Sequence, residues 1–195
     1  AELVIKSYFH SFLEQKKNIR IGIGRAGNVI GGGDWAISRI IPDCIRGWAD
    51  GRVVTIRNPN ATRPWQHVLE PLGGYLSLAS SLSNSSEEHG EAFNFGPSHL
   101  NNHSVREVVS RLSEHLSGFL WNEETEVPSK IKESKLLKLS SDKALSKLKW
   151  HASLSFSDTI KYTAEWYEAF YKDPLVACQL TFSQIHNYSK NRESC

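Results

Sequence analysis

Apolar side chains recur at Leu3, Val4, Tyr8, Phe9 and Leu13, the spacing of one helical face, so a helix is expected over residues 1 to about 16. Ile19-Arg20-Ile21-Gly22-Ile23-Gly24 then alternates in the period-two manner of a strand. A glycine-dense loop follows over residues 27–34. Residues 39–50 read as a helix with Pro42 in its first turn and Ile41, Ile45 and Trp48 on one face. Residues 53–57 read as a short strand and Asn58-Pro59-Asn60 as a turn. Pro71 sits in the first turn of a further helix, with Leu69, Leu72, Leu76 and Ala79 as its expected buried stripe.

Residues 83–90 are polar and acidic, a loop, and residues 92–95 a strand ending at Gly96-Pro97. Ser104-Val105-Arg106-Glu107 is a capping box: the serine accepts from the Glu107 backbone N–H and the Glu107 carboxylate reaches back. The helix it opens carries Val105, Val108, Val109, Leu112 and Leu116, with Gly118 as its stop. A strand over 136–139 and helices over 142–149 and 157–172 complete the pattern; beyond Asp173-Pro174 a polar, loosely held tail is expected. Helices alternate with short strands, so the class is α/β.

Composition narrows the function classes. The 195 residues carry 23 Lys+Arg against 21 Asp+Glu, a balance that gives no electrostatic footprint for nucleic acid. No apolar run approaches the roughly 18 residues of a membrane span, and the first residues lack a signal-peptide pattern. Three widely spaced cysteines, Cys44, Cys178 and Cys195, fit no metal spacing and point to a reduced, cytoplasmic setting. Methionine is absent and the chain opens inside a helical pattern without a cap, so we expect a piece of a longer protein.

Three motifs bear on chemistry. Gly22-Ile23-Gly24-Arg25-Ala26-Gly27 matches G-x-G-x-x-G, but its first two glycines lie within the strand pattern and a second glycine cluster, not a helix, follows. The loop Arg25-Ala26-Gly27-Asn28-Val29-Ile30-Gly31-Gly32-Gly33-Asp34-Trp35 lies beyond a strand's carboxyl end, where ligands enter open α/β sheets. Its glycines would let backbone approach a ligand and Asn28 can donate and accept, although a plain turn fits equally. In Arg57-Asn58-Pro59-Asn60-Ala61-Thr62-Arg63-Pro64-Trp65-Gln66-His67-Val68, the stiff backbone around Arg63 would hold a guanidinium fork ready for phosphate, or for a surface salt bridge. His99 and His103 lack a third ligand at metal spacing, no nucleophile elbow is present, and Trp166 and Tyr167 have core spacing.

Together the loop block, Arg39-Ile40-Ile41-Pro42-Asp43, Ile56-Arg57-Asn58-Pro59, Arg63-Pro64-Trp65-Gln66-His67-Val68-Leu69-Glu70-Pro71 and Phe93-Asn94-Phe95-Gly96-Pro97 resemble the extended short-chain dehydrogenase/reductase family. Within it the match is to the CDP-glucose 4,6-dehydratases, over about residues 1–172, with Ala1-Glu2-Leu3-Val4-Ile5 resembling the stretch just after the Tyr-x-x-x-Lys motif. The resemblance implies an incomplete Rossmann-type parallel sheet interleaved with a smaller α/β substrate-binding domain. In its terms residues 1–36 close the dinucleotide-binding domain, 37–62 enter the substrate domain and 63–98 return. Residues 99–173 are mainly substrate-binding and 174–195 a tail.

It further implies NAD as cofactor and a CDP-sugar as substrate: oxidation at C4, elimination of water across C5 and C6, and return of the hydride to C6. The catalytic Tyr and Lys would lie upstream, leaving no catalytic residue here and a piece inactive alone, with an open apolar sheet edge. By carry-over Asn28 would contact the sugar diphosphate, Arg39 and Ile40 the nucleotide, and Arg63 the pyrophosphate. Arg57 and Glu133 would add substrate contacts, and the Ala26 and Gly27 backbone would meet the nicotinamide end. Ser140 stands where relatives carry Asp, and Ile131-Lys132 where they carry Pro-His. A homo-oligomer is implied for the full-length protein. Another nucleotide-sugar epimerase or dehydratase, or a noncatalytic nucleotide-sugar binding module, would share these features.

Overall fold

The computed structural model describes residues 1–97, 102–124 and 139–193. Helix α1 (Glu2–Tyr8) continues into a π-helical turn, Phe9–Leu13, and leads to strand β1 (Ile23–Ala26). The strand is shorter than the alternation over 19–24 predicts. It pairs in parallel with β6 (Ala92–Phe95), with Ile23 opposite Ala92 and Ala26 opposite Phe95. Gly24 is required here, because a Cβ would lie 2.6 Å from the Tyr75 ring. Among the described residues no strand covers the second edge of β1.

Strand β2 (Val29–Ile30) pairs in parallel with β5 (Gln66–His67), and β3 (Val54–Ile56) in parallel with β8 (Trp121–Glu123). Strand β4 (Thr62–Arg63) runs antiparallel to β7 (His103–Ser104). Helix α2 (Ile40–Ala49) buries Ile41, Cys44 and Ile45 against Ile56 and Val109. Helix α4 (Val105–His115) starts on the expected capping box, with both reciprocal bonds between Ser104 and Glu107 formed. A second core joins Leu78 of α3 (Leu69–Asn84), Phe93 and Phe95 of β6, Ala144 of α5 (Asp142–Leu148), and Trp150. The chain is thus mixed α/β with parallel strand pairs. The strand expected over 136–139 falls, apart from its last residue, outside the described residues.

Two expectations are overturned. Helix α3 buries Glu70, Pro71, Gly74 and Leu78, whereas Leu72 and Leu76 are 47% and 73% exposed. Gly74 seats that face against the Phe95 ring, leaving no room for a side chain, while Glu70 is fully hydrogen-bonded inside. The tail is likewise ordered as helix α7 (Pro174–Glu193), packed on α6 (Phe156–Lys172). Polar contacts hold it: Trp166 Nε1 donates to Thr181 Oγ1 at 2.8 Å, Gln184 Nε2 to the Tyr162 carbonyl at 2.9 Å, and Tyr188 Oη to Glu70 Oε2 at 2.9 Å. Among the described residues no helix is long and apolar enough to cross a membrane.

Candidate functional site

Three segments meet beyond the carboxyl end of β1. The first is Gly27-Asn28, locked because the Asn28 carbonyl accepts from the Gln66 N–H at 3.0 Å and Ile30 from the Val68 N–H at 2.8 Å. With its backbone fixed by the β2–β5 pairing, Asn28 is left with its side chain for other partners. The second is the start of α2. Arg39 is its N-cap in an extended conformation and no side chain caps the first turn, so the positive end of the helix dipole stands at this place. The third runs from β3 to β4. Its loop is pinned to α4 by Val105 N–H to the Ala61 carbonyl and Arg106 N–H to the Pro59 carbonyl, both 2.9 Å.

These segments enclose a cavity of about 660 Å³. That is the size range of small-ligand sites. Its apolar wall includes Ile30, Ile41, Ile56 and Trp65, all buried, and the Trp65 indole is fixed by donating to the His103 carbonyl at 2.9 Å. Arg39, Arg57 and Arg63 supply cationic lining, against the carboxylates of Asp34 and Asp43. Asp43 is paired with Arg46, and Arg39 Nη1 lies 3.4 Å from Asp34 Oδ2. Arg63 donates to the Thr62 carbonyl at 2.8 Å. A concave site with several guanidinium groups, an amide side chain and an uncapped helix start suits a phosphorylated ligand.

Of the residues singled out from sequence, Gly27, Asn28, Arg39, Ile40, Arg57 and Arg63 all line this cavity. Ala26 does not; it ends β1, exposed, opposite Phe95. Glu133 and His99 lie outside the described residues. Sequence reasoning left Asp34, Ser38, Thr55, Asn58 and Trp65 without a role, yet they also line the cavity. Alternation in β3 could not have singled out Thr55, since Ile56 on the opposite face lines the cavity as well.

Within the glycine cluster, Gly32 is accounted for by packing inside the protein. A Cβ on Gly32 would sit 2.0 Å from Trp166 Cδ2, so the glycine makes room for an indole of α6. Next to it, the Tyr167 hydroxyl donates to the Asp34 carbonyl at 2.7 Å and accepts the Asp34 N–H at 3.1 Å. Burial pushes the Tyr167 phenol up to about 12, keeping it a donor across the neutral range. The loop is therefore rigidly mounted on α6.

The described residues do not form a dinucleotide cradle. Gly22 and Gly24 are covered by Leu78, Leu82 and Tyr75, and β2, not a helix, follows β1. Among the described residues, no strand–glycine loop–helix unit is present to hold a pyrophosphate. No group of three His, Cys, Asp or Glu able to hold a metal occurs among the described residues.

No protein-family model matches the chain. The CDP-glucose 4,6-dehydratase of Salmonella typhimurium is 36% identical to it over 178 residues, covering 87% of the chain and 48% of that enzyme. The chain thus spans about half the length of the curated relative it matches. Among solved structures, the UDP-glucuronic acid 4-epimerase of Bacillus cereus, in complex with UDP-glucuronic acid and NAD, superposes with a TM-score of 0.68 at 19% identity, over 86% of this chain and 50% of that one. The dTDP-glucose 4,6-dehydratase of Streptomyces venezuelae, with NAD and TYD bound, gives 0.67 at 18% identity, over 86% and 48%. The chain is therefore homologous to the C-terminal half of CDP-glucose 4,6-dehydratase, on a fold shared with NAD-dependent sugar-nucleotide dehydratases and epimerases.

Proposed function

We propose that the chain supplies the nucleotide-sugar-binding half of an NAD-dependent 4,6-dehydratase, a lyase acting on CDP-glucose in the cytoplasm. The observation that carries this reading is the convergence of Asn28, Arg39, Ile40, Arg57 and Arg63 on one cavity, in a chain 36% identical to such an enzyme. Arg63 and Arg39 neutralise the diphosphate, Arg57 adds cationic charge beside it, and Asn28 orients the sugar through hydrogen bonds. The apolar wall of Ile56 and Trp65 excludes water behind the nucleoside. Gly27, just past β1, would lie where the sugar end of the cavity approaches the cofactor, and NAD would supply the hydride acceptor and donor.

The groups that move protons belong to the remainder of the protein, as does the dinucleotide cradle. In this reading residues 1–36 and 63–98 belong to the cofactor domain and 37–62 and 99–173 to the substrate domain. The open edge of β1 and the outward Leu72 and Leu76 support a surface that the other half covers, and the whole enzyme would be a homo-oligomer.

Calorimetric titration with CDP-glucose, against UDP- and dTDP-glucose as competitors, tests the assignment. Arg63→Ala should weaken CDP-glucose binding by about 2–4 kcal/mol, the scale of a lost charge-assisted bidentate contact with its partner left unpaired. Unchanged affinity would remove Arg63 from the site.

A further inference from the structure

We infer that Asp34 is a positioning residue for this cavity: its carboxylate holds Arg39 at the mouth and sets how much phosphate charge a ligand must bring to recruit that arginine. The inference rests on the reading of the cavity as a nucleoside-diphosphate site.

The loop carrying Asp34 is mounted without help from its charge. Its backbone N–H and carbonyl are both taken by the buried Tyr167 hydroxyl, at 3.1 and 2.7 Å. Arg46 donates to the carbonyls of Trp35 and Ala36, both at 3.2 Å. Within the side chain, Oδ1 accepts from the Ala36 N–H at 3.0 Å, a local turn contact that an uncharged oxygen can make as well. Oδ2 faces Arg39 Nη1 at 3.4 Å. Among the described residues, the negative charge therefore faces the arginine that begins α2 and lines the same cavity.

The geometry is that of a pair made to be broken. A separation of 3.4 Å exceeds the roughly 2.7–2.9 Å of a strong charge-assisted contact, and the side chains are 66% and 31% exposed. Such a pair contributes little, and a phosphate that accepts both arms of the guanidinium fork displaces it. Asp34 also repels every anion that enters. A ligand whose phosphates recruit Arg39 bears both costs in full, whereas one that leaves Arg39 on Asp34 meets the repulsion alone. Asp34 thus restrains nucleoside diphosphates and their sugar esters more than monophosphates.

The test is calorimetric titration of CDP and CMP, at one salt concentration, into the chain and its Asp34→Asn, Arg39→Ala and doubly substituted variants. Asp34→Asn should tighten CDP about fivefold, the scale of one weak ion pair, and CMP by less, so that the preference for CDP grows. In the Arg39→Ala background most of that gain should vanish, which a merely structural role of Asp34 would not produce. Weaker or unchanged CDP binding, or an equal gain with and without Arg39, overturns the inference. Binding of neither nucleotide to the unsubstituted chain overturns the diphosphate reading and this inference with it. CDP binding that Arg63→Ala reduces while Asp34→Asn leaves the CDP to CMP ratio intact overturns this inference alone. Should Asp34→Asn melt early, Asp34→Ser, which keeps an acceptor for the Ala36 N–H, carries the same comparison.

Discussion

Replacing Glu70 by alanine removes one carboxylate that ties three distant segments together. The side chain is 1% exposed. Its Oε1 accepts the N–H groups of Ser153 and Leu154 at 2.8 and 2.6 Å, and its Oε2 accepts the Tyr188 hydroxyl at 2.9 Å. Alanine would strand two backbone donors and a phenol in partly or fully buried surroundings. At about 1–3 kcal/mol for each unsatisfied group, and with water relieving some of it, the loss should be about 3–5 kcal/mol. Glutamine behaves differently, because its carbonyl can keep both backbone donors while its amide donates to the Tyr188 oxygen. Glu70→Gln should therefore cost about 1 kcal/mol, the charge assistance alone. At 2–4 °C per kcal/mol for a chain of this size, thermal melts would place the alanine variant roughly 10 °C below the parent and the glutamine variant a few degrees below it. Limited proteolysis should cleave α7 early in the alanine variant alone. Equal losses in the two variants, or a loss under about 1 kcal/mol for alanine, would refute the hydrogen-bond account.

Gly32→Ala should cost about 3 kcal/mol through overpacking against the Trp166 indole, and under about 1 kcal/mol in a Trp166→Ala background; additive penalties in a denaturant series would contradict the contact. His67 is buried, and burial lowers its pKa from 6.5 to about 4. Since the unfolded chain binds that proton more readily, stability is full above about pH 6.5 and is lost as pH falls toward 4, by about 3 kcal/mol. His67→Phe should flatten that part of the pH–stability curve, and an unchanged slope would discount His67 as its source.

The parts of the fold written in local chemistry were legible. The Ser104–Glu107 capping box and the apolar face of α2 appear where the residues place them. The cavity was legible through residue types that bind phosphate, Asn28, Arg39 and Arg63, although their convergence depends on strand pairings far apart in sequence. The inner face of α3 was not, because Gly74 and Glu70 do not count as apolar; one is buried for its small size and the other for its hydrogen bonds. Helix α7 escaped for a related reason: it docks through Thr181, Gln184 and Tyr188, so no apolar stripe announces its buried side. In the glycine loop, Gly27 lines the cavity, whereas the packing of Gly32 on Trp166 joins residues more than a hundred positions apart and has no local signal.

Hydrogen exchange of the chain with and without CDP-glucose, read at peptide resolution, addresses the central claim. The account predicts new protection at residues 27–28, 39–43, 54–58 and 61–63, with α7 unchanged. Protection confined to other segments, or none at saturating CDP-glucose, would contradict it.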